Sequence, residues 1–189
     1  MIGIIAIASS FVYPQIGKWK IKRNIEQDFN AIVSTIGYLK TKTRAINGTS
    51  ILFCSKVYGT DGYTDITALK YEMSRYRNAG DSLLVLSPGY TDNKIETGRA
   101  DVGGTGEFGN LLTGKVNVEC TADKTIFNAG GNAGNLGSGD AVEFIINYKV
   151  SGVADYVNFN AYKVKVNTST AYVQKYKWNI VTGTWRELN

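Results

Sequence analysis

The first 46 residues constrain the fold more than any other part of the chain. The segment "IIAIASSFVYPQIG" is almost entirely apolar, and it continues without a break into the basic stretch "KWKIKR". Beyond it, apolar residues recur at spacings of three and four, the pattern of an amphipathic helix with one apolar stripe. The stripe consists of Ile21, Ile25, Phe29, Ile32, Ile36 and Leu39.

These two patterns predict one helix that ends at about residue 46, before Asn47-Gly48, and measures about 65–70 Å. Pro14 lies inside it and should kink or loosen it, because proline removes a backbone donor. Residues 1–16 are nearly all apolar, and residues 1–20 are predicted to be the membrane and filament-core part of the helix, which needs lipid or other subunits to cover it. Residues 21–189 should form the globular domain, with the one-sided part of the helix packed on it.

The remainder of the chain predicts mostly strands, because it has 21 glycines, 12 tyrosines and only two prolines. We therefore expect an α+β fold with a long N-terminal helix on an antiparallel sheet. The Asp65–Asn78 segment fits neither period well and is predicted to be a short helix. Two glycine-rich stretches, Gly98–Gly109 and Gly130–Gly139, are predicted to be loops. The predicted strands are Ser50–Val57, Ser82–Leu86, Gly114–Ala122, Thr125–Asn128, Ala141–Val150, Phe159–Val166 and Ala171–Ile180.

The composition argues against catalysis. Histidine is absent, which excludes histidine-based nucleophile systems and histidine-ligated metals. The GxGxxG match at residues 104–109 lacks the strand and helix that a phosphate loop requires. Asp61, Asp65 and Asp92 lack the spacing of a calcium loop. We expect no enzymatic activity, catalytic residue, metal, cofactor or small-molecule substrate.

Cys54 and Cys120 are the only cysteines. They can form one disulfide in an oxidising compartment, or they can be two small buried apolar side chains. The sequence leaves both alternatives open.

The C-terminal stretch mixes cations with aromatic residues, a combination that can follow a phosphate backbone and stack on bases. The alternative is an ordinary antiparallel hairpin with one polar and one buried face. If the stretch binds DNA, its cations should lie on one connected surface, and Glu143 and Glu187 should point away. The candidate DNA-binding residues are Lys163, Lys165, Lys175, Lys177, Trp178, Trp185 and Arg186.

Four segments resemble type IV pilins and type II secretion pseudopilins. "IGIIAIASSFVYP" (2–14) is similar to the later part of the pilin transmembrane segment, including its proline. "LKTKTRAINGTSILFCS" (39–55) resembles the helix end and first strand of the GspH/FimT family. "KTIFNAGGNAGNLGSGDAVEFII" (124–146) resembles the second signature of that family, and "YKVKVNTSTAYVQKY" (162–176) occupies the place of its last hairpin.

The resemblance implies a structural minor pilin or pseudopilin of a type IV pilus or a type II secretion system. Its prepilin leader would lie upstream of Met1. Such a subunit is single-pass in the inner membrane, has a periplasmic domain, and joins a filament with other pilin subunits. The alternative is a FimT-type minor pilin that binds DNA for uptake in natural transformation; a lipid-anchored adhesin is a third reading. The membrane and filament residues would be Ile4, Ile5, Ile7, Phe11, Val12 and Pro14.

Overall fold

The computed structural model describes the backbone of residues 2–45, 48–58, 65–74, 94–98, 111–113, 115–128, 133–135 and 140–188. It describes the side chains of residues 15–45, 48–54, 111–113, 115–128 and 140–188.

Helix α1 runs from Ile2 to Ala45. The prediction of one long helix that ends near residue 46 is therefore confirmed. The chain stays helical through Pro14. Lys42 and Arg44 lie in the last turn, where positive charge interacts favourably with the exposed carbonyl groups.

Twelve strands follow among the described residues, and all of their pairings are antiparallel. The fold is therefore α+β. The strands are β1 (Thr49–Tyr58), β2 (Asp65–Ser74), β3 (Lys94–Gly98), β4 (Asn117–Cys120), β5 (Lys124–Asn128), β6 (Ala133–Asn135), β7 (Ala141–Asn147), β8 (Lys149–Val150), β9 (Val153–Ala154), β10 (Tyr162–Asn167), β11 (Val173–Asn179) and β12 (Thr184–Leu188).

The strands form two five-stranded sheets and one small hairpin. The first sheet has the order β3-β2-β1-β5-β6 and the second has the order β12-β11-β10-β7-β4. β8 and β9 pair only with each other, through a tight turn at Ser151 and Gly152. Both turn residues have positive φ angles, 50° and 82°, as the two-residue turn that fits a twisted hairpin requires.

The core lies between α1 and the two sheets. The helix contacts β1 and β5 of the first sheet and β7 and β10 of the second. Burial alternates along β10, with Tyr162, Val164 and Val166 directed inward. All of the apolar stripe except Ile21, which is half-buried, is buried against these strands, as predicted.

A disulfide connects the two sheets. Cys54 on β1 and Cys120 on β4 are bonded, with their Cα atoms 6.5 Å apart. Next to it, the Cys54 N–H donates to the carbonyl of Asp123 at 2.8 Å. The disulfide therefore fixes the centre of the first sheet to the edge of the second.

Several strand predictions are confirmed, and the differences have local causes. β1 and β5 match their predicted ranges closely, whereas the strand predicted at Gly114–Ala122 is limited to β4. The predicted Phe159–Val166 strand begins later, at Tyr162. The strand predicted from Ala171 begins at Val173, because Ala171 lies in the β10–β11 turn with φ of 53°. Ser82–Leu86 lies outside the described residues.

The short helix predicted for Asp65–Asn78 is wrong. Residues 65–74 form β2, which pairs with β1 over ten residues. Pairing with a central strand outweighs a weak local pattern, since strand preference depends strongly on neighbours. The predicted loop Gly130–Gly139 contains the short strand β6. Gly98 ends β3, and the rest of the predicted loop up to Gly109 lies outside the described residues.

Reduction of the disulfide should destabilise the fold. The bond closes a loop between residues 66 positions apart, for which chain entropy predicts about 4 kcal/mol. Urea unfolding with and without reductant measures this difference. The double variant Cys54→Ser/Cys120→Ser should be insensitive to reductant. The protein should also be taken from an oxidising compartment and alkylated without reductant. If two thiols then react, the disulfide is absent.

The docking of α1 should dominate stability. Ile32 is fully buried in the stripe, so Ile32→Ala should lower the free energy of unfolding by about 2–5 kcal/mol. Asn30 is exposed on the same helix, and Asn30→Ala should change it by less than about 0.5 kcal/mol. Equal effects of the two substitutions would show that the stripe does not carry the docking.

Candidate functional site

The side chains of helix α1 are described from Gln15 to Ala45, and the domain covers only part of this length. In that range Ile25 is the first fully buried side chain, and Ile21 is half-buried. Residues 15–20 are all exposed, including Ile16 at 55% and Trp19 at 61%. The domain therefore covers the helix from Ile21 onward and leaves residues 15–20 uncovered.

Two polar contacts define the direction of the helix relative to the second sheet. The Tyr162 hydroxyl, at the start of β10, donates to Glu26 Oε1 at 3.3 Å. Further along α1, Lys40 Nζ donates to the carbonyl of Ala171, in the turn after β10. The helix therefore runs parallel to β10, and the residues before Glu26 extend beyond the beginning of that strand.

These contacts also change the acidity of their groups. Burial, together with the negative charge and the hydrogen bond of Glu26, raises the pKa of Tyr162 to about 12. Burial, and to a smaller extent the positive charge of Arg44, lowers the pKa of Lys40. Both groups connect α1 to the second sheet.

Asp28 places a carboxyl group on the buried face of the helix. Its side chain is 0% exposed. Asp28 Oδ1 accepts the Thr113 N–H at 2.7 Å, and Oδ2 accepts the Thr113 hydroxyl at 3.0 Å. Burial raises the pKa of Asp28, while the two hydrogen bonds oppose that rise. The carboxylate therefore ties the segment before β4 to α1 at an electrostatic cost.

The apolar residues proposed for the membrane and filament segment belong to helix α1. Among the described residues, no helix contains a stretch that is long and apolar enough to cross a membrane. The side chains of the segment are outside the described set. They are Ile4, Ile5, Ile7, Phe11, Val12 and Pro14.

The candidate DNA-binding cations do not share one surface. Residues opposite each other in an antiparallel pair lie on the same face. Lys163 is opposite Tyr176, and Lys165 is opposite Gln174. Lys175 is instead opposite the buried Val164.

Lys177 and Arg186 lie on the same face of the sheet as Lys175, the face that packs against α1. Lys177 is opposite Tyr162 and also opposite Arg186. Its ammonium lies 5.6 Å from the centroid of the Tyr162 ring. Lys175, Lys177 and Arg186 are thus on the face that carries α1, and Lys163 and Lys165 are on the other. These five cations therefore do not form the one connected surface that DNA binding by this stretch would require.

The outward face also contains the acids that were expected to point away. Glu143 Oε1 lies 3.5 Å from Lys163 Nζ, and Glu187 Oε1 accepts a hydrogen bond from Gln174. Burial and then the charges of Glu187 and Glu143 raise the pKa of Tyr176 on this face. The positive charges of two lysines are balanced here by the negative charges of two glutamates. This face therefore lacks the excess positive charge that phosphate binding requires.

Trp178 and Trp185 form an aromatic cluster with Tyr156. Trp178 stacks on Tyr156 with centroids 4.8 Å apart and meets Trp185 edge-on at 5.2 Å. The Lys163 ammonium lies 5.3 Å from the centroid of the Trp185 ring. The two tryptophans therefore join the β11–β12 hairpin to the 150–158 segment. Sequence reasoning missed Tyr156 because no spacing connects it with either tryptophan.

The described residues hold no group of three or more cysteine, aspartate or glutamate side chains that could bind one metal ion. Asp61 and Asp92 lie outside them, and Asp65 begins β2. A comparison of the chain with protein-family models, curated proteins and solved structures finds no match.

The buried Asp28 should make stability depend on pH. Its folded-state pKa lies above 3.8, so the folded chain binds the proton more tightly than the unfolded chain. The stability that comes from this tighter proton binding is fully present below about pH 4. It is lost as the pH rises through the folded-state pKa. The difference in unfolding free energy between the parent and Asp28→Asn should therefore change over this range and level off above it.

The asparagine variant is a near-isostere that keeps an acceptor for the Thr113 N–H and a group that can hydrogen-bond its hydroxyl. It should be close to neutral in stability at pH 7, whereas Asp28→Ala should cost about 1–3 kcal/mol by leaving buried donors unpaired. Parallel pH curves for the parent and Asp28→Asn would contradict the raised pKa.

Proposed function

We propose that the protein is a non-enzymatic structural subunit of a helix-assembled filament, a pilin-like minor pilin or pseudopilin. Its N-terminal helix would rest in the inner membrane before assembly and in the filament core afterwards. Its partners would be other subunits of a type IV pilus or a type II secretion pseudopilus. The domain formed by the rest of the chain would lie in the periplasm.

The observation that carries this proposal is the division of one continuous helix. α1 extends over 44 residues, and among its described side chains those of residues 15–20 are exposed, whereas burial begins at Ile21 and is complete at Ile25. Residues 21–45 contain all of the side chains that the described part of the helix contributes to the core. The helix continues on the other side to Ile2, and the sequence of residues 2–16 is almost entirely apolar.

A helix with an apolar sequence of this kind requires a partner. An apolar helix in water gains free energy by association, at about 25 cal/mol for each Å² removed from water. Contiguous apolar surface commonly marks a membrane or protein interaction site. The amphipathic stripe continues directly from this apolar segment, so one continuous helix connects the segment to the domain. That coupling favours a filament subunit over an adhesin on a flexible anchor.

The DNA-uptake alternative has less support. It depended on cations gathered on one face, and the register separates them. The disulfide and the two-sided docking of α1 suit a subunit that carries mechanical load outside the cytosol. The structural role is therefore the function that we propose.

Charges placed in the apolar segment, residues 2–14, should disrupt its association. The full chain should fractionate with membranes and require detergent. Ile7→Asp/Phe11→Asp should move it to the soluble fraction, since each aspartate costs about 2.5–3.5 kcal/mol in a bilayer centre. Sedimentation and size-exclusion chromatography after cell fractionation measure the shift.

A matched control places two aspartates on solvent-exposed positions of the same helix. Asn30→Asp/Ser34→Asp, at two exposed positions of the docked part of α1 with the same spacing as Ile7 and Phe11, should leave the fractionation of the full chain unchanged. A parent chain that is monodisperse without detergent would contradict the proposal. The same conclusion would follow if both double variants behaved alike.

A further inference from the structure

Among the side chains that the structure describes, the exposed large hydrophobic ones are concentrated at the end where α1 leaves the domain. Nine large hydrophobic side chains are exposed in the part whose side chains are described, and only Tyr38 and Tyr172 lie at the far end, near the Lys40–Ala171 contact. The other seven surround the point where α1 leaves the domain. They are Ile16, Trp19, Val150, Val153, Val157, Ile180 and Val181, and we call them the basal surface.

The position of the β11–β12 hairpin follows from the register. Lys177 on β11 is level with Tyr162, whose hydroxyl contacts Glu26 of the helix. From Lys177 the chain continues to Ile180 and Val181, about 10–13 Å beyond that level at about 3.3 Å per residue. Trp19 precedes Glu26 by seven residues and lies about 10 Å beyond the same level. The hairpin tip and Trp19 therefore extend to similar distances beyond the level of Tyr162.

The 150–158 segment leaves the same end. Ile146 on β7 is also level with Tyr162, and the chain then passes Asn147 into the β8–β9 hairpin. Hydrogen bonds from Asn158 and Val157 lower the pKa of Asp155, and the nearby charge of Lys18 on α1 adds to them. This segment therefore lies beside the emerging helix.

The tips themselves are the most exposed apolar groups. Val181 is 93% exposed, Val157 is 74% and Val153 is 72%. Behind them, the Tyr156–Trp178 stack connects the two hairpins. The exposed valine side chains therefore form small separate projections on two connected hairpins and do not line a continuous groove.

Positive charge surrounds the basal surface. Lys18, Lys20, Lys22 and Arg23 are all exposed on the helix just before it docks. Arg23 lies 5.5 Å from the centroid of the Trp19 ring. Two acids are close, but Asp155 accepts hydrogen bonds from Val157 and Asn158, and Glu26 accepts one from Tyr162. The four cations outnumber these two acids.

We infer that the basal surface docks on a bilayer that contains anionic lipid. The valine and isoleucine tips would enter the headgroup boundary, and Trp19 would lie at the same level among the lysines. Tryptophan is enriched at this boundary, and clustered lysine and arginine residues are attracted to anionic headgroups. The inference rests on the proposed function in one respect: the apolar segment must enter the same bilayer and orient the base towards it.

A bilayer explains the basal surface better than a second copy of the chain. Small separate tips on two hairpins offer little continuous area, whereas a stable protein interface needs well-packed patches of about 800 Å² on each partner. A second copy would also present the same cations to the same surface. Anionic headgroups complement both the aliphatic tips and the positive charge.

Site-specific labels on the full chain test the inference. Because the native cysteines are bonded to each other, a new cysteine is the only free thiol. An environment-sensitive nitrobenzoxadiazole label is placed at Val181→Cys on the tip, at Tyr172→Cys at the far end, and at Ile5→Cys in the apolar segment. Each protein is reconstituted in phosphatidylcholine vesicles with and without phosphatidylglycerol.

The label at Val181→Cys should shift to the blue, brighten severalfold and be quenched by lipids that are brominated near the headgroup. These changes should be larger with phosphatidylglycerol and should fall with added salt, and the label at Tyr172→Cys should show none of them. If Ile5→Cys is quenched and Val181→Cys is not, the inference is overturned and the proposed function stands.

The remaining outcomes also separate the two ideas. If neither Ile5→Cys nor Val181→Cys is quenched, both fail. Quenching of Val181→Cys alone would support lipid docking and contradict the membrane segment. A change at Val181→Cys that depends on protein concentration and not on brominated lipid would assign the surface to a second copy and overturn the inference.

Discussion

The docking of the apolar stripe of α1 is the interaction on which the rest of the structure depends. Each sheet directs apolar side chains towards the helix, such as Leu52 on β1 and Phe144 on β7. Neither sheet can cover this face alone, because burial of one sheet face needs another layer. Ile32 and Ile36 fill that space with no exposed surface. The disulfide then holds the two sheets in the positions that the helix requires.

The same docking explains why the helix has two different parts. Where the sheets end, the stripe has nothing to pack on, and the side chains of residues 15–20 are exposed. Hydrogen bonds occur along the docked part of the helix. Asp28 accepts from Thr113, and Glu26 accepts from Tyr162. Lys40 donates to the β10–β11 turn. Burial of a carboxylate is costly, and the two hydrogen bonds from Thr113 offset that cost only in part, since the pKa of Asp28 is still raised. The main effect of Asp28 is therefore to fix the position of the Thr113 segment on the helix.

The helix and its docked face could be predicted from sequence, and the shared surface of the cations could not. Spacings of three and four identify Ile25, Ile32 and their neighbours because the helical period is local information. Alternation likewise pairs Lys163 with Lys165 on one face of β10. Whether Lys175 joins them depends on the offset between two strands, and a shift of one residue reverses the face. The turn between β10 and β11 sets that offset, and its conformation depends on Asn167 accepting hydrogen bonds from Ser169 and Thr170.

That offset changes where the protein can meet an anionic partner. On the outward face of the second sheet, Lys163 is paired with Glu143, and its ammonium lies near two aromatic rings. The charge that would attract phosphate groups is instead dense at the helix exit, where Lys18 to Arg23 hold four cations in six residues. An anionic surface approaching the protein would therefore be attracted to the end from which the apolar segment emerges. Electrostatic and hydrophobic contributions then act at the same end of the molecule, which favours one defined orientation of the domain.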